Sequence, residues 1–368
     1  MPATSAPRRK SSPRLTDIAL QAGVGIATVN RVLNERGSTS VSTREKVIRA
    51  AKQLGTKRQL PDVRSGLTRF DVVMARSRTP FFRRMELALE RIMQLLDRRI
   101  VVHRHEFASQ DEAQTAAFIQ HPPHRRDGLI VALHDTPLLR EAVRAVSLQG
   151  VPVVTLMSDI SDVPRLHYAG IDNQHAGRTA GHFMGRLVRQ PGRVLVLTND
   201  LAYRAHRDRT GGFMGVVAER FSHLHCLPVQ ACLDDPDKTF EAVDAALRLG
   251  IDQPLVGVYH SGAGSTGIVQ ALRRHGQAGK VVWVGHELSD EHRESLVQGQ
   301  MDLVIDQDPD GQMLSGMQHL LFVNKWLDQM PPTGPNEFRL FCAENLPSQP
   351  YLPVAEAAGS AAGVVVER

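Results

Sequence analysis

The chain has only three cysteines, Cys226, Cys232 and Cys342. Three cannot build a disulfide framework, and the number suits a reducing compartment. No apolar run reaches the roughly 18 residues that a spanning helix needs. The opening MPATSAPRRKSSPR is basic, but no apolar stretch follows it, so it is not read as a secretory signal. A soluble cytosolic protein with no membrane partner is the expectation. Neither G-x-S-x-G nor H-E-x-x-H occurs, and nothing pairs a nucleophile with a base. No catalytic residue, metal site or cofactor is therefore assigned, and the chain is not expected to be an enzyme.

What is present is asymmetric. The 368 residues, at roughly 150 per domain, suggest two or three units. An apolar fraction of 42% is ample for a sizeable core. The net charge of +5 hides a division. Residues 1–60 hold 12 basic and 3 acidic residues, a net of +9, so the remainder carries −4. A basic head on a slightly acidic body suggests that the head alone meets a polyanion, with strong salt dependence.

Residues 1–13 are rich in Pro, Ser and Arg and read as a disordered arm. Helical periodicity begins at Leu15, with Ile18, Ala19 and Ala22 on one face and Gly23 as the stop. A second short helix runs from Ile26 to Leu33, where Val29, Val32 and Leu33 form the apolar stripe. The short linker Gly23-Val24-Gly25 gives the spacing of a helix-turn-helix, whose second helix can enter a major groove. Ser40 is the expected N-cap of a third helix striped by Val47, Ile48, Ala51 and Leu54 and ended by Gly55.

The stretch from Leu15 to Gly55 resembles the DNA-binding head of the LacI/GalR repressor family. Its T-V-S-R-V-L-N run stands here as Thr28-Val29-Asn30-Arg31-Val32-Leu33-Asn34. The resemblance implies a DNA-contacting set of Thr16, Gly25, Ile26, Ala27, Thr28, Asn30, Arg31, Asn34, Lys57, Arg58 and Leu60. Ile26 and Ala27 fall on base-reading positions. Apolar side chains there can meet a thymine methyl but cannot bond a base edge, so Arg31 carries the polar readout. Gly25 and Asn30 replace the family's serines. The linker Thr56 to Leu67 is shorter than the family's hinge and lacks its Asn-Ala-x-Ala-x-x-Leu run. Pro61 allows a first helical turn at Asp62 to Ser65. Leu60 and Val63 are candidate minor-groove wedges, and Lys57, Arg58, Arg64 and Arg69 suit phosphate contact.

After Arg69 the pattern alternates strand and helix. Strands are expected at Phe70–Ala75, Ile100–Arg104, Gly128–Ala132 and Val151–Met157. Helices are expected at Phe82–Leu95, Ala113–Ile119 and Leu138–Ser147. The rhythm restarts with strands at Val194–Thr198, Leu255–Tyr259, Val281–Val284 and Met301–Ile305. Helices are expected with them at Gly211–Arg220, Phe240–Leu249, Ser265–Arg274 and Asp310–Leu327. Short β-branched strands between helices mean parallel sheets covered on both faces, in two similar α/β halves with a ligand site between them.

This body resembles the sugar-binding core of the same repressors and of periplasmic ribose-type binding proteins. The fold class implied is a small all-helical helix-turn-helix head followed by a two-lobed periplasmic-binding-protein-like α/β core. The implied divisions are an arm 1–13, a head 14–56, a hinge 57–68, a core 69–346 and a tail 347–368. Within the core, lobe 1 is about 69–172 and 308–333, and lobe 2 about 174–306 and 334–346. The runs that carry the resemblance are Thr79-Pro80-Phe81-Phe82, Ile171-Asp172-Asn173 with Gly177, and Arg207 to Phe213. Val284-Gly285-His286-Glu287 and Ile305 to Pro309 complete them.

They nominate Thr79, Phe81, Phe82, Met157, Ser158, Asp159, Asp172, Asn173, Arg209, Ser261, Glu287 and Gln307 as ligand residues. Arg209 offers a rigid fork and, if buried, expects an acidic neighbour or an anionic ligand. One of the adjacent Phe81 and Phe82 is expected to be plain core. Where ribose-type proteins have Asp-Arg, this chain has Met157-Ser158, so ribose itself is not expected. A hexose, a sugar alcohol and a sugar phosphate all stay open.

Gly262-Ala263-Gly264-Ser265-Thr266-Gly267 is a literal G-x-G-x-x-G, but it sits mid-lobe and is not read as a nucleotide site. His223, His225, Cys226 and Cys232 lack structural zinc spacing. The expected function is a sequence-specific DNA-binding regulator, a repressor, acting as a homodimer on double-stranded operator DNA. A small sugar, polyol or sugar phosphate controls it from the cleft. The expected dimer contact is the first lobe, through Phe82–Leu95 and Asp310–Leu327. The alternatives are a non-sugar effector, or a sugar-binding or nucleotide-dependent enzyme core with a DNA-binding head.

Overall fold

Short apolar stripes between glycine and serine punctuation build three helices at the N-terminus. In the computed structural model, which describes residues 13–34, 36, 39–56, 58, 60, 66–249 and 253–352, these are α1 (Leu15–Ala22), α2 (Ile26–Leu33) and α3 (Val41–Gln53). Gly23 closes α1 at φ 65°. The Ser40 hydroxyl accepts the Thr43 amide at 3.3 Å and caps α3. Ile18, Val29, Val32, Val47, Ile48 and Ala51 meet in one small core. Most of the arm, the turn at Asp62–Ser65 with Pro61 and Val63, Lys57, Arg64 and the end of the tail lie outside the described residues.

The chain divides into two units, Met1–Leu67 and Thr68–Arg368. The second opens with β1 (Thr68–Ala75), α4 (Pro80–Leu95), β2 (Ile100–Phe107), α5 (Glu112–Gln120), β3 (Gly128–Ala132), α6 (Pro137–Leu148), β4 (Val153–Leu156) and β5 (His167–Ala169). These strands form one parallel sheet in the order β2-β1-β3-β4-β5. Next come α7 (Asn173–Leu187), β6 (Gly192–Thr198), α8 (Arg204–Arg220), β7 (Leu224–Cys226), β8 (Gln230–Ala231), α9 (Pro236–Arg248) and β9 (Leu255–His260). Then α10 (Ser265–Arg274), β10 (Val282–His286), α11 (Asp290–Val297), β11 (Leu303–Asp306), α12 (Pro309–Val323) and β12 (Arg339–Phe341) follow. The second sheet runs β12-β11-β10-β9-β6-β7, parallel except for β12.

The chain crosses between the sheets at Gly170–Asp172, again at Gln307–Asp308, and again before β12. A bridge between Ile171 and Asn336 joins two of these crossings. Helix α12 returns to the first sheet, packing on α4, β3, β4 and β5. Strands end at one edge of each sheet, and their following loops face the cleft between the two lobes.

Several expected bounds need correction, and β5, β7, β8 and β12 are additional strands. Helix α8 begins at Arg204, seven residues before Gly211, because its first turns bury Ala205, His206 and Arg209 rather than an apolar stripe. Helices α7 and α11 are additional, and α12 stops at Val323. Several large apolar residues of α4 and α12 lie inside their own lobe. Met85, Leu89, Met313, Met317 and Leu320 share one buried cluster. Among the α4 side chains, Met93 and Leu95 stay exposed.

Candidate functional site

The polar, glycine-rich α7 was invisible to periodicity for a physical reason. Its buried face is mostly glycine and alanine, with Met184 as its large apolar side chain. A Cβ on Gly177 would lie 2.0 Å from the Arg209 carbonyl oxygen, and one on Gly212 would lie 2.3 Å from the Gln174 carbonyl oxygen. Helices α7 and α8 are thus packed backbone to backbone, and this contact places Arg209. Gly177→Ala is expected to push the helices apart. It should cost about 1–3 kcal/mol in urea unfolding and weaken ligand binding with it.

Arg209 is 2% exposed and lies at the floor of a cavity of about 920 Å³ between the lobes. Its Nε donates to Asn173 Oδ1 at 2.7 Å and its Nη1 to the Ser261 carbonyl at 3.4 Å. Its Nη2 donates to Gln307 Oε1. One cation therefore ties together the start of α7, the loop after β9 and the crossing after β11. Burial pulls its pKa below the ordinary arginine value, yet a guanidinium stays charged. Asn173 in turn donates to Tyr168 Oη at 2.8 Å.

A second buried cation sits across the cleft. Arg84, on the inner face of α4, reaches from the first lobe to the second. It donates to Glu287 Oε1, to Asp306 Oδ2 at 2.7 Å and to Asp310 Oδ2 at 3.2 Å. Burial works against its charge, but Glu287 and Asp306 outweigh that and push its pKa further up. Asp306 is fully buried and also accepts the amides of Leu288 at 3.1 Å and Asp308 at 3.0 Å. Glu287 gains less. Burial, and then the nearby Asp306 charge, raise its carboxyl to about 8 against the pull of Arg84.

Folded Glu287 thus keeps its proton in a window, from near 4.5 to about 8, where the unfolded carboxyl has lost it. The folded state binds more protons there, so this group's stability contribution is lost as pH rises through that window. Glu287→Gln is expected to lose less stability than the parent between about pH 5 and about pH 8, read as the shift of the urea midpoint. Equal shifts would mean that Glu287 is ionised throughout.

Histidines complete the walls. His286 Nε2 pairs with Tyr259 Oη at 2.9 Å, and His206 Nδ1 lies 3.0 Å from Thr198 Oγ1 and 3.3 Å from Ser261 Oγ. Burial, and then the charge of Arg209, hold both well below the ordinary histidine range, so both are neutral. Met157, Glu287 and Asp308 have φ values of 65°, 69° and 54°. Such left-handed non-glycine residues cost on the order of 1–3 kcal/mol each. All three fall just after strands, where the chain turns to present the cleft.

Eight of the nominated ligand residues line the cavity: Thr79, Phe81, Phe82, Met157, Arg209, Ser261, Glu287 and Gln307. Both phenylalanines do so, with rings 5.8 Å apart and edge to face, although only one was expected there. Four of the nominated residues are elsewhere. Ser158 accepts the Ala205 amide at 3.1 Å. Asp159 binds Thr155 and Arg165. Asp172 caps α7 by accepting the His175 amide at 2.8 Å. Asn173 supports Arg209 from behind.

Asp208 pairs with Arg204 rather than Arg209. The residues missed are Arg84, Asp306, His206, Tyr203 and Asp234. Arg84 had a signal, since it is a charge on the stripe of Phe81, Met85 and Ala88. The G-x-G-x-x-G run has structural uses. Gly264 adopts φ 90° before α10, and a Cβ on Gly267 would meet the Pro236 carbonyl at 1.9 Å.

In the head, Gly25 precedes α2 and offers no capping side chain. Ile26 is 50% exposed, and Ala27, Asn30 and Arg31 are exposed with it, on the face away from Val29 and Val32. Thr16 is exposed and Thr28 half-buried. Asn34 donates to the Asn30 carbonyl at 3.0 Å and accepts from Arg58 at 2.6 Å. Leu60 packs against the head's own core.

Residues 14–58 match the family described as bacterial regulatory proteins, lacI family, and residues 70–321 match the periplasmic binding protein domain. The Sucrose operon repressor of Pediococcus pentosaceus is 25% identical over 155 residues, 41% of this chain. The matched stretch spans only 45% of that relative's length. Among solved structures, GanP, a glucose-galactose binding protein from Geobacillus stearothermophilus, superposes with a TM-score of 0.67 at 17% identity, covering 77% of this chain and 100% of that one. A solute binding protein of an ABC transporter from Agrobacterium vitis with bound D-fucose gives 0.67 at 18% identity, covering 75% and 96%. Those two likenesses establish the fold of the core. With a lacI-type helix-turn-helix head and a core that belongs to the periplasmic-binding-protein domain family, the chain has the architecture of the LacI/GalR regulators.

Proposed function

We propose that this protein is a DNA-binding transcriptional regulator, a repressor, whose affinity for double-stranded operator DNA is set by a sugar or polyol held between the lobes. One observation carries the reading: a helix-turn-helix with an exposed second helix shares a chain with a cleft floored by the buried Arg209. The names of the fold relatives, which bind glucose, galactose or D-fucose, support a sugar-class ligand. Phe81, Phe82 and Tyr203 supply the apolar platform that a sugar ring needs. The head is taken as 14–56, the linker as 57–68 and the core as 69–346.

Two copies would place two heads on a pseudo-palindromic site, each reading one half. Ligand binding would change the angle between lobes, and with it the presentation of the heads. The test is selection of bound sequences from a random duplex pool by the full chain. An enriched two-fold site is expected. Arg31→Ala should weaken binding to that site roughly 10- to 100-fold while changing random-sequence binding by no more than about threefold. No enriched site would remove the reading.

A further inference from the structure

The deep wall of the cleft is made of donors. Arg209 uses three of its five N–H groups, all on neutral oxygens of Asn173, Ser261 and Gln307, and it forms no ion pair with any described residue. One N–H on each Nη is left over, on a side chain that lines the cavity. Arg84, by contrast, is neutralised by carboxylates. A desolvated cation with no carboxylate bonded to it is costly, so Arg209 is the point in the cleft suited to an anionic group.

The neighbours agree with this. The phenol of Tyr259 is buried and has His286 Nε2, 2.9 Å away, as its hydrogen-bonding partner. A buried O–H needs an acceptor, so Tyr259 donates and the imidazole proton stands on Nδ1. That Nδ1 lies on a residue 1% exposed and has no partner among the described residues.

Glu287 Oε2 is likewise buried without a partner. Two inner carboxylates, Glu287 and Asp306, share Arg84. Asp306 takes two backbone amides as well, while Asp310 also serves the exposed Arg91. Asp306 is the better hydrogen-bonded of the two, which leaves Glu287 Oε2 to hold the shared proton as an O–H donor. The raised pKa of Glu287, about 8, agrees with that placement.

We propose that the effector is a polyhydroxylated monocarboxylate, a sugar acid, with its carboxylate on Arg209 between His286 Nδ1 and Glu287 Oε2. This rests on the reading of the cleft as a polyol site and narrows it. One carboxylate matches one uncompensated cation. A phosphate monoester carries −1.5 to −2 at neutral pH. It would leave excess negative charge in a cavity also lined by Glu112, Asp200, Asp234 and Glu291, against only Arg76 and Arg78. The acidic residues suit the hydroxyls of the rest of the ligand.

The test is calorimetric titration of the full chain with D-glucose, D-galactose and D-mannose, each beside its aldonate, its uronate and its 6-phosphate. At least one acid is expected to bind on the order of 100-fold tighter than its parent aldose and tighter than the 6-phosphate. A parent aldose equal to its acids, or a 6-phosphate tightest of all, would overturn the proposal while leaving the polyol reading intact. No binding by any member would remove that reading and the proposal with it.

Arg209→Gln should bring the acid-to-aldose ratio close to unity, whereas Arg209→Lys, which keeps the charge, should retain a preference for the acid. Equal loss of acid and aldose in both variants would show that Arg209 only holds the fold. The parent protein's series decides the ligand class even if neither variant folds.

Discussion

Arg84→Met is expected to destabilise the core by about 3–5 kcal/mol, the largest effect of any single substitution in the cleft. The reason is what it leaves behind. Glu287 and the fully buried Asp306 would face each other without the guanidinium that bridges them. Removing one member of a buried ionic cluster costs far more than the cluster contributes, because the remaining charge has lost both water and partner. Arg84→Met combined with Asp306→Asn should recover part of the loss, since Asp306 carries the buried negative charge that has lost its partner. Urea unfolding followed by circular dichroism reads both variants. A loss below about 1 kcal/mol for Arg84→Met would mean that water already screens the cluster.

Arg84 also joins α4 of the first lobe to the ends of β10 and β11 in the second. It therefore links the two lobes directly.

The second large effect concerns response rather than stability. Arg209→Met should abolish the ligand-dependent change in operator affinity. Binding to the selected operator without ligand should stay within about threefold of the parent. Loss of the charge-assisted bonds to a ligand removes on the order of 100-fold in affinity. The proposed DNA surface, on α2, belongs to the other unit of the chain. Fluorescence anisotropy on the selected duplex, with and without the tightest-binding member of the sugar series, measures both quantities. Equal loss of operator binding with and without ligand would sink the assignment of Arg209 to the cleft.

How much of this was legible depended on what each element buries. The head's three helices were legible, because Gly23, Ser40 and the stripe Val29-Val32-Leu33 punctuate helices that share one apolar core, although Leu54, expected in the third stripe, is instead an exposed C-cap of α3. The strands of four residues or more were legible because a parallel sheet covered on both faces reads as a β-branched run, whereas β5, β7, β8 and β12, two or three residues long, were not. Helix α7 was not. It meets α8 through Gly177, Gly181 and Gly212, and a helix that buries glycine has no apolar stripe. The start of α8 was hidden because it buries His206 and Arg209, whose partners lie far away in sequence.

Arg209, Glu287 and Gln307, nominated from their motifs, line the cavity between the lobes. Arg84 showed only as a charge on an apolar stripe, and its pairing with Asp306, 222 positions away, leaves no local pattern. Asp172 and Ser158 were nominated by motif position, but their oxygens are used up on the backbone amides of His175 and Ala205.

The central claim is that the cleft controls the head. The most direct measurement is the affinity of the full chain for its selected duplex, titrated with the ligand that calorimetry shows to occupy the cleft. The expected result is a change in operator affinity of at least about tenfold at saturation, the size of an ordinary allosteric coupling. The change should be absent in Arg209→Met. Unchanged operator affinity with the cleft fully occupied would contradict the claim and leave two functions on one chain without coupling between them.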